Sequence, residues 1–157
     1  MVGGIDVEYH EKLKIFFDEL GIAKKMVLAT SSDDIVSART VSVLAFDEKL
    51  YFQTDIAMDK AKDIMNNSNV ALAAGNIQIK GNCKEVGHPL DENNEKFLNY
   101  FKEYYSSAYA KYSHLHNERV YEITPTLIKL WTYKEESPCI EFFDCNKQEY
   151  NLIKYEI

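Results

Sequence analysis

Apolar residues recur along this chain with two different periods. Over residues 7–20, Tyr9, Leu13, Phe16, Phe17 and Leu20 follow three-four spacing, which predicts an amphipathic helix. Gly21 supplies its stop, because glycine tolerates the left-handed conformation that closes helices. The pattern then becomes strand-like. A short apolar run opens at Met26, and residues 35–46 form a longer strand rich in Val, Ser and Thr. A turn at Asp47-Glu48-Lys49 leads into a hairpin partner at 50–54. A second helix is predicted from Ala57 or Met58 to Asn66 or Asn67, with Ala61, Ile64 and Met65 on its inner face. Strands follow at 70–74 and 77–86 around a Gly75-Asn76 turn. Helical spacing returns over 90–105 through Leu90, Phe97, Phe101 and Tyr104, with Asp91 as the cap. Residues 106–118 are polar and tyrosine-rich and suggest one more short helix. The last predicted strands are 120–133 and 139–143, with a turn between them around Glu135-Glu136-Ser137-Pro138.

Six or seven strands, several joined by short turns, favour an antiparallel sheet or barrel over a doubly wound parallel one. The expected class is therefore α+β: one domain, with a small barrel over about 24–143 flanked by helices. The tail 144–157 is polar with scattered Tyr, Leu and Ile, and two readings stand: it packs on a partner subunit or lies loose.

Size and charge narrow the function. At 157 residues the chain has the length of one ordinary domain and needs no disulfide or metal to hold its core. Its 25 acidic and 18 basic side chains give a net charge of −7, which argues against binding nucleic acid or an anionic membrane. No apolar run approaches the ~20 residues that span a bilayer. The N-terminus also lacks a basic patch followed by an apolar stretch, so a cytoplasmic protein is expected. Cys83, Cys139 and Cys145 are odd in number and widely spaced, consistent with reduced thiols. His114 and His116 have no acidic or thiol neighbour at metal-like spacing, so no metal site is expected.

Arg39 does not fit its surroundings. It is one of two arginines and interrupts a strand that otherwise reads as half or wholly buried. A sheltered guanidinium must face an anion or an array of acceptors. An internal carboxylate would satisfy it, and so would a bound phosphate, which matches the planar fork. Lys60 lies near the start of the second helix, where the dipole favours anions. Taken alone, such a lysine is most often solvated surface. Thr54 closes the intervening strand and offers a hydroxyl, so three elements can converge on one phosphate.

The runs Arg39-Thr40-Val41-Ser42-Val43, Leu50-Tyr51-Phe52-Gln53-Thr54, the helix from Lys60, the strand from Val70 and the strand from Ile79 occur in a familiar order. Together with Ile123-Thr124-Pro125 and the strand ending in Trp131, they resemble the pyridoxamine 5′-phosphate oxidase-like, FMN-binding split-barrel superfamily. The resemblance implies a six-stranded antiparallel split barrel and a homodimer with FMN at the subunit interface. It implies that Arg39 and Lys60 hold the flavin phosphate, and that Thr40, Val41 and Ser42 line the isoalloxazine. It further implies that Gln53 and Thr54 touch the ring and ribityl-phosphate region, that Asn76 lies near the ring, and that Trp131 comes from the second subunit.

The departures from the family pattern bear on the reaction. Met58-Asp59 stands where the oxidases carry Ser-Arg, Leu44 replaces the substrate lysine, and Tyr133-Lys134-Glu135-Glu136 replaces an arginine-rich substrate motif. An FMN-dependent oxidoreductase acting on a small molecule is expected, but not synthesis of pyridoxal phosphate. No side chain stands out as the catalytic acid or base. A non-enzymatic flavin- or haem-binding or stress-related module is the alternative. Coenzyme F420 is a third possibility, disfavoured by its polyanionic side chain against an acidic protein.

Overall fold

The computed structural model describes the backbone over residues 2–156 and side chains over residues 7–156. Helix α1 (Val2–Leu20) leads into a hairpin of β1 (Ala23–Ser32) and β2 (Ile35–Phe46), followed by β3 (Lys49–Asp55). Helix α2 (Asp59–Asn66) comes next, then β4 (Asn69–Ala74) and β5 (Ile77–Glu85). A 3₁₀ turn (Glu92–Asn94) precedes α3 (Glu95–Tyr104) and α4 (Ser106–Tyr112). The chain ends with β6 (Glu118–Lys134), β7 (Ser137–Asp144) and β8 (Glu149–Lys154).

All strand pairings are antiparallel, and the order β3-β2-β1-β4-β5-β6 closes through a β3–β6 ladder. Six strands thus make a barrel, and β7 and β8 extend from the C-terminal half of β6. Residues 149–154 therefore pair with β7 as a strand. Three hairpin turns, Asp33-Asp34, Asp47-Glu48 and Glu135-Glu136, have positive φ at both residues. That is the mirror-image geometry that matches strand twist, made here without the usual glycine.

The core fills the barrel and the groove beneath α1, with Phe52, Phe143, Met26, Leu28 and Leu50 almost wholly enclosed. A smaller cluster of Leu44, Tyr51, Phe97, Phe101 and Val120 seats α3 on the outside. Gly81 is required where β5 crosses β6, since a Cβ there would stand 2.6 Å from the Thr124 carbonyl oxygen. Gly21 ends α1 at φ +80°, as its sequence position predicts.

Several sequence expectations need correction. In α2 only Ala61 and Ile64 are buried; Met65 is 83% exposed, because an eight-residue helix offers the barrel one narrow stripe. The predicted helix over 90–105 begins only after the 3₁₀ turn, which leaves Leu90 exposed, and Tyr104 is exposed as well. Asp91 makes no side-chain cap; its carboxylate accepts from the His88 N–H at 2.9 Å. In β2 only Val41, Val43, Leu44 and Ala45 are buried, and 35–40 are largely exposed.

Candidate functional site

Strand alternation decides what β2 presents to each side. Arg39, Val41 and Val43 share one face, and Val41 and Val43 lie in the barrel core. Val41 is 8% exposed, and its side chain packs inward with the barrel core. Arg39 is the last residue of this inward face before the strand leaves the barrel, so its guanidinium sits at the mouth. Thr40 is exposed and Ser42 half-buried on the opposite face.

Opposite Arg39 on β1 is Leu28, which places Thr30 beside the guanidinium. Arg39 Nη1 donates to Thr30 Oγ1 at 2.7 Å and to the carbonyls of Leu28 and Ser37 at 3.3 and 3.5 Å. Thr30, 1% exposed, in turn donates to Asp63 Oδ2 at 2.7 Å. That carboxylate oxygen stands 4.0 Å from Arg39 Nη2. Among the described residues, neither Nε nor Nη2 of Arg39 makes a hydrogen bond. The internal carboxylate and the free anion-binding edge, which the sequence left as alternatives, are both present.

Lys60 and Asp63 are three apart on α2 and so lie on one helical face. Lys60 is half-buried and has no carboxylate within 4.0 Å among the described residues. Burial, then the nearby Arg39 charge, lower its pKa, while Glu118 and Asp59 oppose the shift. The two cations are thus brought together at the barrel mouth.

Next to Lys60 is a second cluster that the sequence did not reveal. Glu118, 5% exposed at the start of β6, accepts a 2.7 Å bond from Gln53 Nε2, and Ser113 donates to Gln53 Oε1 at 3.0 Å. Burial raises the Glu118 pKa, and the Asp55 charge adds to this; Gln53, Lys60 and His88 pull it down. Both ends of the Gln53 amide are therefore engaged within the chain. Thr54 is buried beside them on β3, opposite Arg119.

Asn76 and Trp131 form a third group at another end of the sheet. The Asn76 amide donates to the Trp131 carbonyl at 2.6 Å, and the Trp131 N–H donates to the Asn76 carbonyl at 3.1 Å. The indole, 39% exposed, meets Tyr133 and Tyr155 edge-on at centroid distances of 6.3 and 5.6 Å. Arg39, Leu28, Leu72, Ile79 and Ile128 lie in register across β2-β1-β4-β5-β6. Trp131 lies three residues beyond Ile128 on β6, a strand that reaches β2 by way of β5, β4 and β1 and also, around the closed barrel, by way of β3.

Pairing between β2 and β3 spans only Leu44–Phe46. Upstream of Leu44 that edge of β2 has no neighbouring strand among the described residues, although Tyr105 Oη donates to the Val43 carbonyl at 2.8 Å. The barrel is split here. The Thr40–Ser42 stretch thus pairs with β1 on one side and has no strand on the other among the described residues.

A closed six-stranded antiparallel barrel with two added strands and flanking helices, split beside a cation pair, defines the class as an α+β split barrel. Residues 16–132 match the family model described as pyridoxamine 5′-phosphate oxidase, and the chain belongs to that family. No curated protein matches it. Among solved structures it resembles General Stress Protein 26 from Bacillus anthracis str. Sterne, with 20% identity, 92% of this chain and 97% of that chain covered, and a TM-score of 0.59. A pyridoxamine 5′-phosphate oxidase-related, FMN binding protein from Nostoc punctiforme shares 14% identity over 94% and 95% of the two chains, at a TM-score of 0.62. The heme storage protein HutZ from Vibrio cholerae shares 13% identity over 80% and 96%, at 0.64. At these identities the likeness is one of fold.

Proposed function

We propose that this protein is an FMN-binding oxidoreductase acting on a small molecule other than pyridoxamine phosphate, and that it works as a cytoplasmic homodimer. The observation that carries the reading is the meeting of two cations, Arg39 and Lys60, at one mouth. Arg39 Nε and Nη2 make no hydrogen bond among the described residues, although Nη2 faces Asp63 at 4.0 Å. Lys60 has no carboxylate within 4.0 Å among those residues. Two half-buried cations repel each other, and a phosphate between them would turn that repulsion into attraction. Arg39, Lys60 and the buried Thr54 are the groups that would hold it. The open edge of β2 offers main-chain groups of Thr40, Val41 and Ser42 to the polar rim of an isoalloxazine, with Gln53 behind them. In this reading Asn76 lies near the ring and Trp131, whose indole is partly exposed, is delivered from a second copy. A bound flavin would supply hydride chemistry, and the chain's own contribution is binding, orientation and exclusion of water.

Leu44 supports the departure from the oxidase reaction. It is fully buried under α3, so the position of the family's substrate lysine faces core in this chain. The alternative of a non-enzymatic flavin or haem module draws support from the acids around the cations, which weaken the hold on a phosphate. For haem, His88 is a poor ligand: Nδ1 accepts from the Leu90 N–H at 3.0 Å and Nε2 bonds the Leu115 carbonyl at 2.8 Å.

The test is an absorption spectrum of the purified protein before and after adding FMN, with mass by size exclusion. Bound FMN that NADH or NADPH reduces supports the enzyme. Bound FMN that neither reduces supports the carrier. A colourless monomer that ignores FMN overturns both.

A further inference from the structure

Thr30 has one proton to give. It gives that proton to Asp63 and receives the Arg39 guanidinium on the same oxygen. In this state its hydroxyl has no donor left for any ligand at the mouth. Among the described residues Asp63 is also the one carboxylate within 4.0 Å of Arg39, and both side chains are about four-fifths shielded from water. A phosphate arriving at the free edge of Arg39 therefore meets an anion already beside that arginine, where screening is weak.

We propose that Asp63 is a built-in competitor for the anion, an affinity-setting residue that holds Arg39 in place through Thr30 and weakens phosphate binding at the mouth. This rests on the reading of Arg39 and Lys60 as the phosphate site. Lys60 and Asp63 share a face of α2, so one helix presents an attractive and a repulsive charge to the same ligand. Removing the carboxylate lifts the repulsion. Removing the whole polar group also frees the Thr30 proton for a phosphate oxygen. The device suits a site that exchanges its ligand over one that keeps it as a permanent group.

The experiment measures protection from thermal unfolding by inorganic phosphate at constant ionic strength, for wild type, Asp63→Asn, Asp63→Ala and Asp59→Asn. Each is then titrated with FMN by quenching of flavin fluorescence. Asp63→Asn should bind phosphate about tenfold tighter, a gain of about 1.4 kcal/mol. Asp63→Ala should bind tighter still, and Asp59→Asn, a change at an exposed residue, should shift affinity by about twofold at most. Should Asp63→Asn not fold, Asp63→Ala carries the test. Tighter phosphate binding with no FMN binding in any variant upholds the role of Asp63 and removes the flavin. Unchanged or weaker phosphate binding in the folded Asp63 variants overturns the proposal, whatever FMN does. An equal gain in Asp59→Asn also overturns it, since general charge would then explain the effect.

Discussion

The barrel mouth and the Asn76–Trp131 end satisfy their polar groups in opposite ways. At the mouth, Arg39 hydrogen-bonds through Nη1 alone among the described residues, and Asp63 stands 4.0 Å from Nη2. At the other end, the Asn76 side-chain N–H and the Trp131 main chain bond each other, and what remains exposed is aromatic surface from Trp131, Tyr133 and Tyr155. The first region presents charge and the second presents aromatic surface. One lesson is that two sites predicted to serve a single ligand need not be adjacent in one chain.

The sharpest way to break this contrast is Arg39→Met. It should lower FMN affinity about a hundredfold, through loss of charge-assisted hydrogen bonds, while leaving dimer mass unchanged. Flavin fluorescence and size exclusion check the two halves separately. Trp131→Ala should do the reverse: dimer dissociation rises about thirtyfold, as for a central aromatic anchor, and phosphate affinity moves by less than about twofold. Dilution series in sedimentation would report it. Lys60→Met should weaken FMN about tenfold, less than the arginine change, because a lysine makes a point contact and not a fork.

The smallest expected effect concerns Glu118. Folding raises its pKa by burial, so its contribution to stability is complete below pH 4.5 and is lost as pH rises through the elevated folded value. Glu118→Gln should flatten that step in urea unfolding followed across the interval, and an identical slope in wild type and variant would sink the assignment. Cys83 offers no competing signal there, since burial pushes its thiol up to about 12.

Much of the fold was legible because its periods are clean. The α1 face of Tyr9, Leu13 and Phe16, the β2–β3 hairpin and the Gly75-Asn76 turn all stand where spacing puts them. Leu90, Met65 and Tyr104 were misread because helical spacing cannot say which neighbour will cover a short helix. The strand β8 was illegible for another reason: its side chains are mostly exposed, so its order comes from main-chain bonds to β7 and leaves no apolar pattern. At the site, Arg39 and Lys60 stood out as charges in unlikely places. Thr30, Asp63 and Glu118 did not, since each looks ordinary until the β1–β2 register, the seating of α2 and the β3–β6 ladder bring it into place. Asp63 had one available clue, its position three residues after Lys60.

Strand β6 is shared by three neighbours, and the ladder that seals the cylinder joins segments far apart in sequence, as Lys49 and Glu122 show at a separation of 73 residues. Local hairpins form fast and distant ladders slowly, so closure should be the late event as the chain folds. Glu118, Gln53 and Thr54 all ride on that final seam. The ligand mouth would then be assembled last, and a newly made chain would acquire its hairpins before it could retain any cofactor.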